Sequence, residues 1–446
     1  MTRTAALRAD ARGCLAAAMA AIDPARLTGA QLDWNDGMLV LRGQGSAQSV
    51  VPCPRPHGGP VLVVGAGKAA LGMAAGVRSV LPRATGLVIV PYGTPGLAPA
   101  DIEVRRASHP IPDAAGVEAT QELLARVAGA GPETLVIVLL SGGASALLVA
   151  PADGITLEDK QAVTRALLAA GADIVALNAV RKHCSAVKGG GLARRAAAAA
   201  GCWTLLLSDV IGDDPAVIAS GPTVGDPSTW AEVACVLERW LAPDAVPDAV
   251  RQRIAAGLAG RLPETVKPGD PVLARVVVRV VGNNALAVAA AAEEARRRGY
   301  AVRVHLRAIV GDAAAAGREL AAALRALPTD RPAALVAGGE PTVQVRPGGH
   351  GGRAQHLALA AAIALAGTPA VLLAAGTDGV DGPTAAAGAC VDGETVWRAR
   401  AAGHDPEAAL RATNSSAPLA AAGDLLPGGP SGTNVADLVV GLRPAC

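Results

Sequence analysis

The sequence predicts an α/β fold, and three observations carry that reading. Short apolar runs rich in β-branched residues recur at Val61 to Val64, Leu87 to Val90, Leu135 to Leu140, Trp203 to Leu207, Val276 to Val281, Val302 to Leu306, Ala333 to Ala337 and Val371 to Ala374. Alanine-rich helical stretches separate them, and continuous apolar runs between helices are what a parallel sheet covered on both faces requires, since neither strand face can be polar. Nearly every run also ends in a glycine-rich or acidic turn, which places the candidate site beyond the carboxyl ends of the strands.

In chain order, Met1 to Ile22 alternates charge with alanine and reads as an opening helix, because Asp10 and Arg12 interrupt any signal-peptide core. Leu237 to Asp270 holds Pro243, Pro247, Pro263 and Pro268 and charged helical pieces but no strand, so a domain junction is placed near Val246. This gives one domain over residues 1–245 and another over 246–446. Leu357 to Gly376 is nearly long enough to span a bilayer, but Gly367, Thr368 and Pro369 cut it into a helix and a strand.

Composition excludes several classes of function. The 446 residues are 51% hydrophobic and 17% charged, which suits a buried core and not a solvated, disordered chain. A net charge of +2, with 2% aromatics and no phenylalanine, argues against nucleic-acid binding. The seven cysteines (Cys14, Cys53, Cys184, Cys202, Cys235, Cys390, Cys446) are scattered and never spaced Cys-x-x-Cys, so neither a disulfide framework nor a zinc site is expected and a cytoplasmic location is. Among 40 basic residues the lysines are Lys68, Lys160, Lys182, Lys188 and Lys267, so the places that keep lysine are informative.

Gly65-Ala66-Gly67-Lys68 closes the first strand and opens a helix, where backbone N–H groups and a compact ammonium together suit a phosphate; a tight turn with a surface lysine is the plainer reading. The same residues fit a relaxed dinucleotide fingerprint, but the next strand ends in Val90-Pro91-Tyr92-Gly93 and lacks the acidic ribose partner. Ser141-Gly142-Gly143-Ala144-Ser145 can aim amides and two hydroxyls at an anion, or be a helix start without a ligand. It is not a serine-hydrolase elbow, since Leu147 stands where the last glycine belongs.

Asn178 to Gly190 concentrates basic groups, either as a solvated helix face or as cations for polyphosphate. Ser208 to Pro215 offers Asp209, Asp213 and Asp214 to Mg²⁺ or to the proton of an attacking hydroxyl, or merely caps a turn. Gly338-Gly339-Glu340 and Gly351-Gly352-Arg353 bracket an expected hairpin. Arg353 there can reach a carboxylate or phosphate, or form a surface ion pair. Gly376-Thr377-Asp378-Gly379 ends the next strand.

Together these blocks resemble the class II glycerate 2-kinase family, whose C-terminal part is the MOFRL domain and whose members were often labelled hydroxypyruvate reductases. The resemblance covers essentially the whole chain. It also runs through Ser108-His109-Pro110, Val180-Arg181-Lys182-His183, Val187-Lys188-Gly189-Gly190, Ala219-Ser220-Gly221-Pro222-Thr223 and Gly432-Thr433-Asn434. It implies a Rossmann-like N-terminal domain and a smaller MOFRL-type α/β domain, with the active site in the cleft between them. The implied reaction is ATP-dependent, Mg²⁺-assisted phosphorylation of D-glycerate at its 2-hydroxyl.

By that resemblance Lys68 and Arg353 occupy the family's lysine and arginine positions; in the mechanism expected from the residues themselves, Asp209 binds Mg²⁺ or orients the nucleophilic hydroxyl, with Asp213 as a second metal ligand. Gly65, Gly67, Ser141, Gly142, Gly143, Ser145, Lys188, Thr223, Asn283, Glu340 and Asp378 are the expected contacts to substrate or phosphate. The partners implied are small molecules, glycerate and ATP, without nucleic acid or membrane, in a monomer or homodimer. The chain departs from the family pattern at Gly191, Ala354, His356 and Ala385, and it lacks the usual aromatic cluster around Ala417 to Ala422. Two rivals stand beside the kinase. One is an NAD(P)H-dependent hydroxypyruvate reductase, which the Gly65 turn permits; the other is a catalytically weakened sugar-acid or nucleotide binding protein, suggested by Ala354, His356 and Ala385.

Overall fold

The computed structural model describes residues 2–35, 38–42, 51–52 and 58–445. The chain divides into two compact units, Pro24–Val281, and Met1–Asp23 with Gly282–Cys446. The junction expected near Val246 therefore falls inside the first of them. Helices Trp230–Trp240 and Asp248–Leu258 bury Val233, Leu237, Val250 and Ile254 in one apolar cluster with Leu177 and Val180 of helix Ile174–His183. The proline-rich stretch connects helices within that unit, so it marks no boundary.

In the 24–281 unit, β1 (Leu32–Asn35), β2 (Met38–Leu41) and β3 (Val51–Pro52) pair antiparallel. The main sheet comprises β4 (Val61–Ala66), β5 (Thr85–Pro91), β6 (Ile102–Ala107), β7 (Leu135–Ser141), β8 (Gly201–Leu207) and β9 (Val276–Gly282), in the order β6-β5-β4-β7-β8-β9. Strands β4 to β8 pair in parallel throughout. Val63, Val64, Leu87, Ile89, Ile137, Leu139 and Leu205 are fully buried, as two-sided helical cover demands. The chain starts this sheet at its middle, builds to the β6 edge, and returns past β4 to begin again with β7. The β4 and β7 ends thus flank a topological switch point, where open α/β sheets form their ligand crevice.

The other unit carries β10 (Ala301–Val304), β11 (Ala333–Gly339), β12 (Val371–Gly376), β13 (Ala386–Asp392), β14 (Leu425–Pro427) and β15 (Asp437–Arg443), in the order β10-β11-β15-β12-β13-β14. Here β10 and β11 are parallel, while β15 runs antiparallel to β11 and β12, and β13 antiparallel to β12 and β14. The sheet is mixed, not parallel as the apolar runs suggested. Burial on both faces makes a strand apolar whatever its neighbours' direction, so the sequence pattern is blind to this difference.

The hairpin expected between Gly338 and Gln355 is also absent. After β11 the N–H groups of Glu340 and Thr342 bond to the Ile309 and Gly311 carbonyls, and no strand intervenes before helix Arg353–Ala364. That helix and β12 are the two pieces into which Gly367 to Pro369 divides the long apolar stretch. Among the described residues no helix is long and apolar enough to cross a membrane. Cys14, Cys184, Cys202, Cys235 and Cys390 are free thiols, whereas Cys53 and Cys446 lie outside the described residues.

Candidate functional site

At the switch point the two glycine turns are bonded to each other. Gly67 adopts φ +132°, and a Cβ there would overlap Ser141, so glycine is required for the close approach of β4 to β7. The N–H of Lys68 donates to the Gly142 carbonyl at 2.9 Å, that of Ala69 to Ser141 Oγ at 3.0 Å, and that of Gly67 to the Ile89 carbonyl at 3.1 Å. Expected as a phosphate cradle, the Gly65 to Lys68 backbone is instead occupied by protein acceptors. What this turn offers a ligand is the half-buried Lys68 side chain. Gly65 and Ser141 serve the packing: a Cβ at Gly65 would meet the Leu139 carbonyl at 2.5 Å, and Ser141 is 1% exposed.

The β7 turn behaves oppositely. The N–H groups of Gly142, Gly143 and Ala144 make no hydrogen bond among the described residues, and Gly143 holds the left-handed φ of +85° with His109 against its Cα. The following helix, Ala144–Leu147, is a single turn, so the anion preference of this nest comes from its amides and not from a macrodipole.

The basic run is not a solvated helix face. Lys182 is buried and paired with Asp226 at 3.3 Å, His183 is buried between the Ala179 carbonyl and Glu264, and Lys188 is buried behind Ser145. Thr223, expected to touch phosphate, is buried under β8 and accepts a hydrogen bond from Thr204 at 2.8 Å, which removes it from a ligand-facing role. Asp209 is half-buried just past the β8 end; Asp213 sits in a left-handed turn at φ 54°, and Asp214 caps the N–H of Ala216. Among the described residues no group of three or more His, Cys, Asp or Glu side chains assembles as a metal site.

In the other unit, Arg353 is the first residue of its helix and is held by two carboxylates. Its Nε and one terminal nitrogen bind the two oxygens of Asp437 at 2.7 and 3.0 Å, and the other terminal nitrogen binds Glu340 at 2.7 Å. Three of five N–H donors are so engaged, and the fork is fixed while two donors remain. Asp381 caps the same helix through the N–H groups of Ala354 and Gln355, because its own N-cap, Gly352, has no side chain. Asp378 closes a turn onto the Val380 N–H and lies within electrostatic reach of Arg353. Asn283, expected at phosphate, caps helix Asn284–Arg297 through Leu286. Asp437 was not among the expected site residues; a carboxylate beginning a buried strand was the available signal.

Burial, with Asp381 and Glu340 nearby, pushes the Asp437 carboxyl up to about 7 against the opposing pull of Arg353. A carboxyl whose pKa is raised by folding binds its proton more tightly folded than unfolded, so its contribution to stability is full below the ordinary carboxylate range and is lost as pH rises toward 7. Asp437→Asn is expected to flatten this slope in urea melts run from pH 4 to 8. If Arg353 works in the reaction, the same variant abolishes an acidic limb of kcat near pH 7, because only the ionised Asp437 accepts both arginine bonds.

Residues 10–255 match a family described as a domain of unknown function (DUF4147), and residues 333–437 match the MOFRL family. A relative from Agrobacterium vitis, provisionally named a hydroxypyruvate reductase, is 43% identical over 394 residues, covering 86% of this chain and 87% of its own length. The glycerate 2-kinase of Pyrococcus horikoshii is 39% identical over 390 residues, covering 86% and 87%. The crystal structure of glycerate kinase from Thermotoga maritima matches with a TM-score of 0.83 at 36% identity, over 98% of this chain and 99% of that one. With both family matches in their expected order and these relatives aligned over most of its length, the chain belongs to the class II glycerate 2-kinase family.

Proposed function

We propose that this protein transfers the γ-phosphoryl group of ATP to the 2-hydroxyl of D-glycerate, giving 2-phospho-D-glycerate and ADP. The carrying observation is the switch point: Lys68 stands at the β4 end beside the open amides of Gly142 to Ala144, a cation and an anion nest on one rigid edge. Phosphoryl transfer asks chiefly for positioning and charge compensation, which such an edge provides. In this reading Lys68 and Arg353 compensate charge on the transferring group, while the hydroxyl oxygen bonds to phosphorus as the bond to ADP breaks. Asp209 and Asp213 are the carboxylates proposed to hold Mg²⁺. Their oxygen donors suit an ion that needs one or two protein ligands, and when bound it would neutralise phosphate charge. The free thiols accord with a reducing, cytoplasmic setting.

The reductase reading is disfavoured by the same turn, since a dinucleotide pyrophosphate approaches backbone amides that here already bond to Gly142, Ser141 and Ile89. A coupled ADP-release assay with D-glycerate and tartronate, set beside NADH oxidation with hydroxypyruvate, decides between them. Phosphorus NMR of the product distinguishes the 2- from the 3-phosphate. ADP formation with glycerate and no NADH consumption is the expected result; NADH consumption alone would establish the reductase. Thermal stabilisation by glycerate without ADP release would mark a weakened binding protein.

A further inference from the structure

Behind the Ser141 to Ser145 turn the 24–281 unit buries three cations without a carboxylate partner. Lys188 is 3% exposed, and its Nζ donates to the carbonyls of Ser145 at 3.0 Å and Ala219 at 3.3 Å. Lys160 is 8% exposed, with Nζ on the Cys184 carbonyl at 2.7 Å, and Arg181 is half-buried. None of the three forms an ion pair among the described residues, and Lys160 and Arg181 both act electrostatically on Lys188. Together with burial they hold the Lys188 ammonium well below the ordinary lysine range.

A fourth group points the same way. Asn178 is 6% exposed and its Oδ1 accepts from Ser220 Oγ at 3.1 Å, which in turn lies 3.3 Å from Ser145 Oγ. Its Nδ2 makes no hydrogen bond among the described residues. A buried charge without a counter-ion is costly, an anion removes that cost, and the unengaged Asn178 amide offers such an anion a further donor.

Resting on the kinase reading, we propose that Lys188 Nζ, Asn178 Nδ2 and the field of Arg181 form the subsite for the carboxylate of the hydroxy acid. Two carbonyls take two of the three ammonium protons, so Lys188 has one left, which matches a compact monoanion. A nucleotide phosphate would bring a divalent cation with it, and a cluster of two lysines and an arginine without a carboxylate partner among the described residues offers that ion no ligand.

The test is calorimetric titration of the full chain, without nucleotide, with D-glycerate, with its neutral isostere glyceramide and with inorganic phosphate, alongside KM for glycerate and for ATP. The wild type is expected to prefer glycerate over glyceramide at least tenfold. Lys188→Met should reduce that preference tenfold or more and leave KM for ATP within twofold. Arg181→Gln, at a half-buried position, should weaken glycerate binding in the same direction and serves if the first variant does not fold. Retained preference for the carboxylate in both variants would overturn the proposal, as would a raised KM for ATP with that for glycerate unchanged. Titration reads binding directly, so a wild type that prefers glycerate but releases no ADP refutes the kinase reading while leaving the anion site standing.

Discussion

Arg353→Ala is expected to lose both turnover and stability, and the two losses can be separated. In the role proposed for Arg353, removing the guanidinium withdraws a fixed cation from the transferring phosphoryl group, and such donors are worth a few kcal/mol in the transition state, so kcat should fall by about two orders of magnitude or more. The same change leaves Asp437, 3% exposed, without the partner that binds both its oxygens. Breaking a buried pair on one side costs about 3 kcal/mol, which thermal melts would show as a drop of several degrees. Adding Asp437→Asn should restore most of the melting temperature and none of the rate. Recovery of rate in the double variant would reduce Arg353 to a structural ion pair.

Lys68→Ala should lower kcat by about two orders of magnitude or more while leaving the backbone of its turn in place. The turn is held by the Lys68 N–H on Gly142, the Ala69 N–H on Ser141 and the glycine contacts to β7, and none of these bonds involves the lysine side chain. Saturating kinetics with both substrates checks it. A raised KM for ATP with kcat unchanged would mean that Lys68 binds nucleotide equally before and during transfer and contributes nothing specific to the chemical step.

Much of the first sheet was legible because its central strands are unbroken apolar runs, from Val61 to Val64 through Trp203 to Leu207. Edge strand β6 was missed, since Glu103, Arg105 and Arg106 give it the alternation of a one-sided surface. In the other unit β13, Ala-Ala-Gly-Ala-Cys-Val-Asp, carries too little β-branched character to stand out from alanine-rich helices, and β15 lies far along the chain from the strands it joins. The scarcity of lysine singled out positions but not their surroundings: Lys160, Lys182 and Lys188 are all buried where a compact ammonium meets carbonyls or a carboxylate. Amide availability was not legible at all. Gly65 to Lys68 and Ser141 to Ser145 look alike as glycine-rich turns, and only the pairing of one turn on the other shows which keeps its N–H groups open.

The opening helix, Arg3–Ala21, is part of the unit formed by the last 165 residues, where Arg8 bonds to Asp392 and, at 2.7 Å, to Asp424. A ribosome therefore makes the first piece of that unit long before the rest of it, with the whole 24–281 segment emerging in between. The nascent helix must wait, uncovered, for its partners, and a fragment beginning after Asp23 would leave Asp392 and Asp424 without Arg8, with Arg398 as their shared ion-pair partner among the described residues. Biosynthesis can therefore close the 24–281 lobe while the other, though begun first, still awaits residues 282–446.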